Sequence, residues 1–459
     1  MITKLSLTNF KSWREIRDMR LAPITGLFGT NSSGKTSILQ LLLMLKRTTE
    51  SPDRFQPLEL SIQPSLVDLG TFKDIIHAHD ANAVLDWAFE WSLGKPHRIL
   101  DAEGDPHKVL FQGQKLGFSC AIDRGEGNGM HVRRFSYEFD GCEFVYESIA
   151  GKNSEYRLDL RDEGSRFKFK RYKGRAWNLP EPVKCYGYPD QTYGYFQNAG
   201  FLSDFQFYLV KLFERVFYLG PLRAYPIRQY LWGGAQPADM GPSGEHVIDA
   251  ILSSRERGVT ISRGSGKPKT TVEQYVAEWL KKLGLIYDFQ IMPVSEGSNL
   301  YQVRVRKTEA SPPVLITDVG FGISQILPVI TLCYYVPEGS TILLEQPEIH
   351  LHPSVQAGLA DVLIDAMRVH KVQIIVESHS EHLLRRIQRR IAEGKGLSDE
   401  DVALYFCRFD GDESLLDPLE LDPYGNITNW PKDFFGNEFE EMARTTMAAM
   451  RRKMKASRS

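Results

Sequence analysis

Gly29-Thr30-Asn31-Ser32-Ser33-Gly34-Lys35-Thr36 (GTNSSGKT) follows the apolar run Ile24-Thr25-Gly26-Leu27-Phe28 and directly precedes SILQLLLML. Strand, glycine-rich loop and helix in that order are the setting of a P-loop. The glycines let backbone N–H groups turn inward around an anion, and the helix that follows points its positive end at the same place. In that setting Lys35 reaches phosphate oxygens as a point charge, and the Thr36 hydroxyl is placed to ligate Mg²⁺. The pattern predicts a nucleoside triphosphate site on residues 29–36.

The 459 residues exceed what one hydrophobic core organises, so two or three lobes are expected. With 42% hydrophobic and 25% charged residues and a formal net charge of -2, the composition is that of a soluble globular protein. No overall basic excess points to nucleic acid, so contact with DNA would have to come from local patches. Cys120, Cys142, Cys185, Cys333 and Cys407 are odd in number and form no CxxC pair, which predicts reduced thiols in a cytoplasmic setting. MITKLSLTNF lacks the pattern of a secretory leader, and no later run approaches bilayer-spanning length, so no membrane association is expected.

Residues 1–83 open an α/β core around the P-loop. In 84–200, alternating aromatic stretches such as VLDWAFEWSL, KLGFSCAI and FSYEFDG are separated by Gly-, Asp- and Asn-bearing turns, predicting an antiparallel β-rich insertion. Helical periodicity returns in 201–287 (LSDFQFYLVKLFERV, TVEQYVAEWLKKLGL), predicting a helical arm. Over 288–435 strands and helices alternate again, the pattern of a mostly parallel α/β sheet covered on both faces. Residues 436–459 read as a basic C-terminal helix.

Thr341-Ile342-Leu343-Leu344 ends in Glu345-Gln346-Pro347-Glu348. A carboxylate ending a strand beside the P-loop holds the water shell of Mg²⁺, which makes Glu345 the metal-side candidate. A buried strand that meets an acidic turn has the same pattern. The neighbouring motifs weigh against that plainer reading. DVGFGISQ (Asp318–Gln325) places Gly322 and Ser324 where a helix opens with free N–H groups suited to phosphate, and HLHP (350–353) and VESHSEH (376–382) follow downstream.

Taken in order, these motifs resemble those of ATP-binding-cassette and SMC-like ATPases, over roughly residues 1–80 and 290–435. The resemblance implies that GFGIS is the signature turn and that Glu345 and Gln346 stand where the carboxylate pair stands. It puts His352 in the D-loop and makes His379 the switch that senses the γ-phosphate. LLEQPEIHLHP, ESHSEHLLRRI and the tail NITNWPKDFF are more narrowly similar to prokaryotic ATPases related to the overcoming-lysogenisation-defect group, here without a Toprim domain. Such ATPases are often encoded beside an effector in antiphage systems such as Septu, PARIS and Gabija. The implied fold is a cassette-type P-loop core with a mostly parallel sheet, carrying the insertion and the arm. The implied assembly is a homodimer or higher homo-oligomer closing head to tail over ATP and Mg²⁺, with Ser324 supplied in trans. A separate effector protein, a nuclease or toxin, is the implied partner.

The chain departs from that family at Gln346, where a glutamate base is usual. A neutral amide orients a water but accepts no proton. Either Glu348 takes the base role or hydrolysis is slow, and slow hydrolysis suits a sensor better than a motor.

Other constellations have plainer explanations. His350, His352, His379 and His382 have metal-like spacing, but the cysteines supply no further ligands. Asp410-Gly411-Asp412 reads as a hairpin turn rather than a nuclease DxD. RFKFKRYKGR (166–175) could stack on bases, yet strand alternation would bury Phe167 and Phe169 and leave Arg166, Lys168 and Lys170 solvated. RRIQRR (385–390) reads as an exposed helical face. An SMC-like DNA-maintenance ATPase is the main rival function, although residues 84–285 lack the heptads of its coiled coils.

Overall fold

The computed structural model describes residues 1–431, apart from 61–66, 102–104, 106, 126–128, 163, 165–166, 175–176, 265, 267 and 321, and also residues 446–448. Apart from that short stretch, the helix expected over 436–459 lies outside the described residues, as do Arg166 and Arg175 of the basic-aromatic segment.

Strands β1 (Ile2–Phe10), β2 (Trp13–Arg20) and β3 (Ile24–Gly29) precede helix α1 (Lys35–Glu50). After the short helix α2 (Phe72–Ile75) come β4 (Leu85–Leu100), β5 (Val109–Arg124), β6 (Met130–Phe139), β7 (Cys142–Ile149) and β8 (Lys152–Arg161). The middle of the chain holds α3 (Asp190–Tyr195), α4 (Leu202–Glu214), β9 (Val216–Leu219), β10 (Tyr230–Leu231), α5 (Val247–Glu256), β11 (Thr260–Ile261), β12 (Thr270–Thr271) and α6 (Val272–Lys282). The last part runs β13 (Asp288–Pro293), β14 (Leu300–Arg306), β15 (Val314–Leu315), α7 (Gly322–Tyr335), β16 (Thr341–Glu345), α8 (Pro353–His370), β17 (Gln373–Glu377), α9 (Glu381–Ala392), β18 (Val402–Asp410) and β19 (Glu413–Leu419).

Among the described residues the largest sheet has seven strands in the order β2-β1-β4-β5-β6-β7-β8. All its pairings are antiparallel. A second sheet of six strands has the order β19-β18-β3-β17-β16-β9, with parallel neighbours from β18 to β9 and an antiparallel hairpin at the β19 edge. The expectation of a mostly parallel sheet therefore needs correction: parallel pairing is confined to the six-stranded sheet. The N-terminal strands β1 and β2 join the antiparallel one, because β1 pairs with β4.

The two sheets differ in burial as their sequences differ in pattern. Along β4, Leu85, Trp87, Phe89, Trp91 and Leu93 are buried, while the residues between them are only partly covered. That period of two presents one face to a core. α4 supplies the covering face with Leu202, Phe205, Leu209 and Phe213 at helical spacing. Phe205 packs against Tyr137, Phe139, Phe144 and Phe201.

The six-stranded sheet is covered on both faces, so its strands read as unbroken apolar runs. Leu27, Tyr218, Leu343, Ile375 and Tyr405 enter the core shared with α1, α4 and the antiparallel sheet. Their strand neighbours Phe28, Leu219, Leu344, Val376 and Phe406 enter the other core, beneath α5 to α9. α7 is apolar all round and almost wholly buried, as a helix between such layers must be.

Parallel pairing also brings the C-terminal ends of β3, β17, β16 and β9 to one rim, where open α/β sheets bind ligands. The strands beside β3 are β17 and β18, and β16 lies one place beyond β17. The expectation that TILLE lies beside the P-loop strand is thus corrected. Among the described residues no helix is long and apolar enough to cross a membrane.

Phe205→Ala removes a fully buried ring at the junction of α4 and the antiparallel sheet. It is expected to cost about 3–5 kcal/mol in denaturant unfolding; a loss below about 1 kcal/mol would mean that α4 is not a fixed part of that core.

Candidate nucleotide-binding site

The P-loop leaves β3 through Gly29, whose φ is +137°. A Cβ there would lie 1.9 Å from the Cys407 carbonyl oxygen of β18, so only glycine passes. Gly34 caps α1 in the left-handed region with φ 85°. Its carbonyl accepts from Trp13 Nε1 at 2.9 Å, which ties the loop to the turn between β1 and β2. Ser33 Oγ donates to the Thr30 carbonyl at 2.8 Å, closing the loop on itself.

Lys35 is 3% exposed. Its Nζ donates to the carbonyls of Gly29 (3.1 Å) and Thr30 (2.6 Å) and approaches Ser33 Oγ at 3.4 Å. Burial lowers its pKa, opposed mainly by the nearby Glu377 carboxylate. Thr36 Oγ1 donates to Glu377 Oε2 at 2.8 Å. Glu377, 2% exposed, ends β17, and burial pushes its pKa up to about 7. The Thr36 hydrogen bond and Lys35 oppose that rise, and Glu345 adds to it.

A cavity of about 570 Å³ opens at this rim, lined by Asn31 to Ser37 of the loop and helix, Lys11 and Ser12 of the β1–β2 turn, Gln346, Glu377 and His379. Gln346 sits in the left-handed region with φ 43°, and its N–H donates to the Glu377 carbonyl at 2.9 Å. His379 follows β17; burial and then the Lys35 charge lower its pKa.

Other residues expected at the site lie off this wall. Glu345 Oε2 accepts from Tyr218 Oη at 2.7 Å. Glu348 is buried, and its Oε1 accepts from the His379 backbone N–H at 2.7 Å. Burial raises its pKa, with the hydrogen bond from His379 the largest opposing influence. Gly322 and Ser324 open α7 and do not line the cavity. His352 is the N-cap of α8, its Nδ1 accepting from the Ser354 N–H at 3.3 Å.

Glu377 and Tyr218 went unread in the sequence. QIIVE ends in a glutamate just as TILLE does, and the two glutamates stand in register, so the signal for Glu377 was present and symmetrical with that for Glu345. Tyr218 carries no local signal.

Of the plainer readings of the remaining motifs, the hairpin agrees with the structure, whereas RRIQRR is an exposed face only at Arg385 and Arg389, with Arg386 and Arg390 half-buried. Asp410 pairs with Glu413 across a two-residue turn. Arg386 and Arg390 bind Asp361 at 2.5 and 2.6 Å, while Arg385 and Arg389 pair with Glu381 and Glu393. Over 167–170 the expected alternation of burial is present, with Phe167 buried and Lys168 and Lys170 exposed, although this stretch lies outside any strand.

A family model described as "AAA domain, putative AbiEii toxin, Type IV TA system" matches residues 108–385, more than half of the chain. The chain belongs to this AAA-domain family. The matched span holds Glu345, Gln346, Glu348, Glu377 and His379, whereas the P-loop precedes it. A second model, "Protein of unknown function (DUF3696)", matches 397–444. Comparison with curated proteins gives no match. Among solved structures, an SMC head bound to the C-winged helix domain of ScpA is 11% identical, with 92% of this chain and 98% of that chain covered at a TM-score of 0.47. The SMC head domain from Thermotoga maritima is 11% identical, with 91% and 99% covered at 0.37. An Smc head domain with an extended coiled coil, bound to the C-terminal domain of ScpA from Pyrococcus furiosus, is 10% identical, with 92% and 96% covered at 0.45.

A carboxyl whose pKa is raised by folding weakens the folded state once it must ionise. For Glu377 that loss grows from its ordinary value of 4.5 up to about 7. Glu377→Gln keeps an acceptor for Thr36 and removes the loss. Without nucleotide or Mg²⁺, the variant is expected to melt above wild type at pH 8 and to lose most of that advantage at pH 5. Equal differences at both pH values would show that folding does not raise the pKa of Glu377.

Proposed function

We propose that the chain binds ATP with Mg²⁺ at the P-loop, pairs with a second copy over the nucleotide, and hydrolyses it slowly, so that the paired state controls a separate effector. The observation that carries this reading is the cavity at the rim of the six-stranded sheet, where Lys35, Thr36, Glu377, Gln346 and His379 converge. In it the N–H groups of residues 29–34 and the positive end of α1 receive the phosphates. Lys35 neutralises their charge, and Thr36 holds Mg²⁺ with a carboxylate. Glu345 is the carboxylate expected from the motif, and Glu377 already bonds to Thr36. His379 follows the γ-phosphate, its backbone held by Glu348.

Gly322 and Ser324 lie off the wall of their own P-loop cavity, which supports a site completed by the α7 N-terminus of another copy. Charge on a transferred phosphoryl group needs donors on all sides, and the wall described is open to solvent on one of them. Gln346 reaches the cavity as an amide and orients water without taking its proton. Glu348 holds the His379 N–H through Oε1 and does not line the cavity, so it is placed away from the water that Gln346 would orient. A long-lived closed pair follows, suited to licensing a nuclease or toxin encoded beside it in an antiphage system. DNA as the direct ligand has less support, since Arg386 and Arg390 are occupied by Asp361.

Light scattering with and without MgATP tests the assembly. Wild type is expected to shift from monomer to dimer, and Lys35→Ala to lose both ATP binding and the shift. Gly322→Asp has room, since the nearest atom to its Cβ is 4.0 Å away. It places a carboxylate against the incoming phosphate, so it should bind ATP and stay monomeric; a dimeric Gly322→Asp would rule out assembly through α7.

Turnover tests the base. Gln346→Glu is expected to raise it by roughly 10²-fold, the usual worth of a positioned base. Unchanged turnover in that variant, together with collapse in Glu348→Ala, would reassign the base to Glu348.

A further inference from the structure

The loop that follows β9, Gly220-Pro221-Leu222-Arg223-Ala224, reaches the same rim as Glu345, because Leu219 stands in parallel register with Leu344. Its backbone is fastened on either side of Arg223: Gly220 N–H donates to the Pro242 carbonyl at 2.7 Å and Ala224 N–H to the Ser243 carbonyl at 2.9 Å. Between these anchors the usual order of burial is inverted. Leu222 is 77% exposed and Arg223 only 6%.

Nε, Nη1 and Nη2 of Arg223 are all buried, and among the described residues none of them has a hydrogen-bond partner. A guanidinium carries five N–H donors in a rigid fork, and leaving them buried and unpaired is strongly unfavourable. Burial draws its pKa down to about 10, so the side chain stays charged at neutral pH. The Glu345 and Glu348 carboxyls favour its charge, while burial keeps the Tyr218 phenol protonated. Tyr218 and Glu345 are already bonded to each other, and Glu348 holds the His379 N–H. Negative charge nearby holds the cation in place without occupying its fork.

We propose that Arg223 is an oxyanion-binding residue that takes the terminal phosphate of the nucleotide, and so distinguishes a triphosphate from a diphosphate. A planar fork of donors matches phosphate oxygens two at a time, as no lysine does. Arg223 lies within electrostatic reach of Glu345, on the loop that leaves the C-terminal end of β9 on the P-loop side of the sheet, although it does not itself line the P-loop cavity. This inference rests on the reading of residues 29–36 as a nucleotide site. The same fork would accept free inorganic phosphate, and the experiment separates the two sources.

Calorimetric titration of the full chain with ATP and with ADP, each with Mg²⁺, is the measurement. Wild type is expected to bind ATP at least roughly tenfold more tightly than ADP, the worth of charge-assisted hydrogen bonds to one phosphate. Arg223→Gln should erase that difference by weakening ATP alone, leaving ADP within about twofold. Arg223→Lys keeps the charge, which guards against misfolding, and should fall between the two. Equal weakening of ATP and ADP would overturn the proposal, reducing Arg223 to a counter-charge for Glu345 and Glu348, and so would an undiminished ATP preference. If Lys35→Ala bound both nucleotides as wild type does, the P-loop reading itself would fail. In a parallel melt, inorganic phosphate raising the Tm of wild type but not of Arg223→Gln, with no ATP preference, would replace the nucleotide by the free anion and overturn the triphosphate assignment.

Discussion

The rest of the molecule depends on the way β3 is held. β17 and β18 bond to its two edges, while Phe28 and Leu27 point into different cores. A strand fixed on four sides cannot shift its end, and the loop that leaves it inherits that rigidity. Gly29 then passes so close to the Cys407 carbonyl that a side chain is excluded. Because α1 buries apolar residues around most of its circumference, its N-terminus is also fixed, and Lys35 and Thr36 stand at defined places on the rim. The antiparallel sheet contributes as well: its first turn brings Trp13 to the Gly34 carbonyl.

Around that fixed edge the chain gathers charges that a purely structural core would avoid. Lys35, Glu377, Glu348 and Arg223 are all buried within the same neighbourhood. Removing charges from water is seldom a net gain in stability, even when they are paired. Each is held by its surroundings in a particular way. Lys35 rests on loop carbonyls, Glu377 receives the Thr36 hydroxyl, and Glu348 secures the backbone of His379. Arg223 differs in having electrostatic company but, among the described residues, no hydrogen-bond partner. This concentration of buried polar groups lies at the C-terminal rim of the parallel strands, and the antiparallel sheet is built instead on stacked and edge-packed aromatic rings.

Features made by residues close in sequence were legible. The P-loop spans eight consecutive residues, the β4 alternation is set by neighbouring side chains, and the Asp410 hairpin needs only its own turn. Features made by distant segments were not. TILLE and QIIVE are both short apolar runs ending in glutamate, so nothing local says which lies beside β3. Arg386 and Arg390 of RRIQRR read as part of an exposed face because their carboxylate partner, Asp361, belongs to another helix.

By itself the sequence determined that a phosphate-binding loop joins a buried strand to a helix, that an aromatic antiparallel region follows, and that acidic and histidine-bearing strand ends come later. The reason is that backbone conformation and hydrophobic period are properties of short segments. Only the tertiary structure decided that Glu377 rather than Glu345 meets Thr36, that Glu345 is held by Tyr218, and that Arg223 turns inward while Leu222 turns out. Those outcomes depend on strand order and on the burial of groups far apart along the chain, which packing of the whole molecule sets.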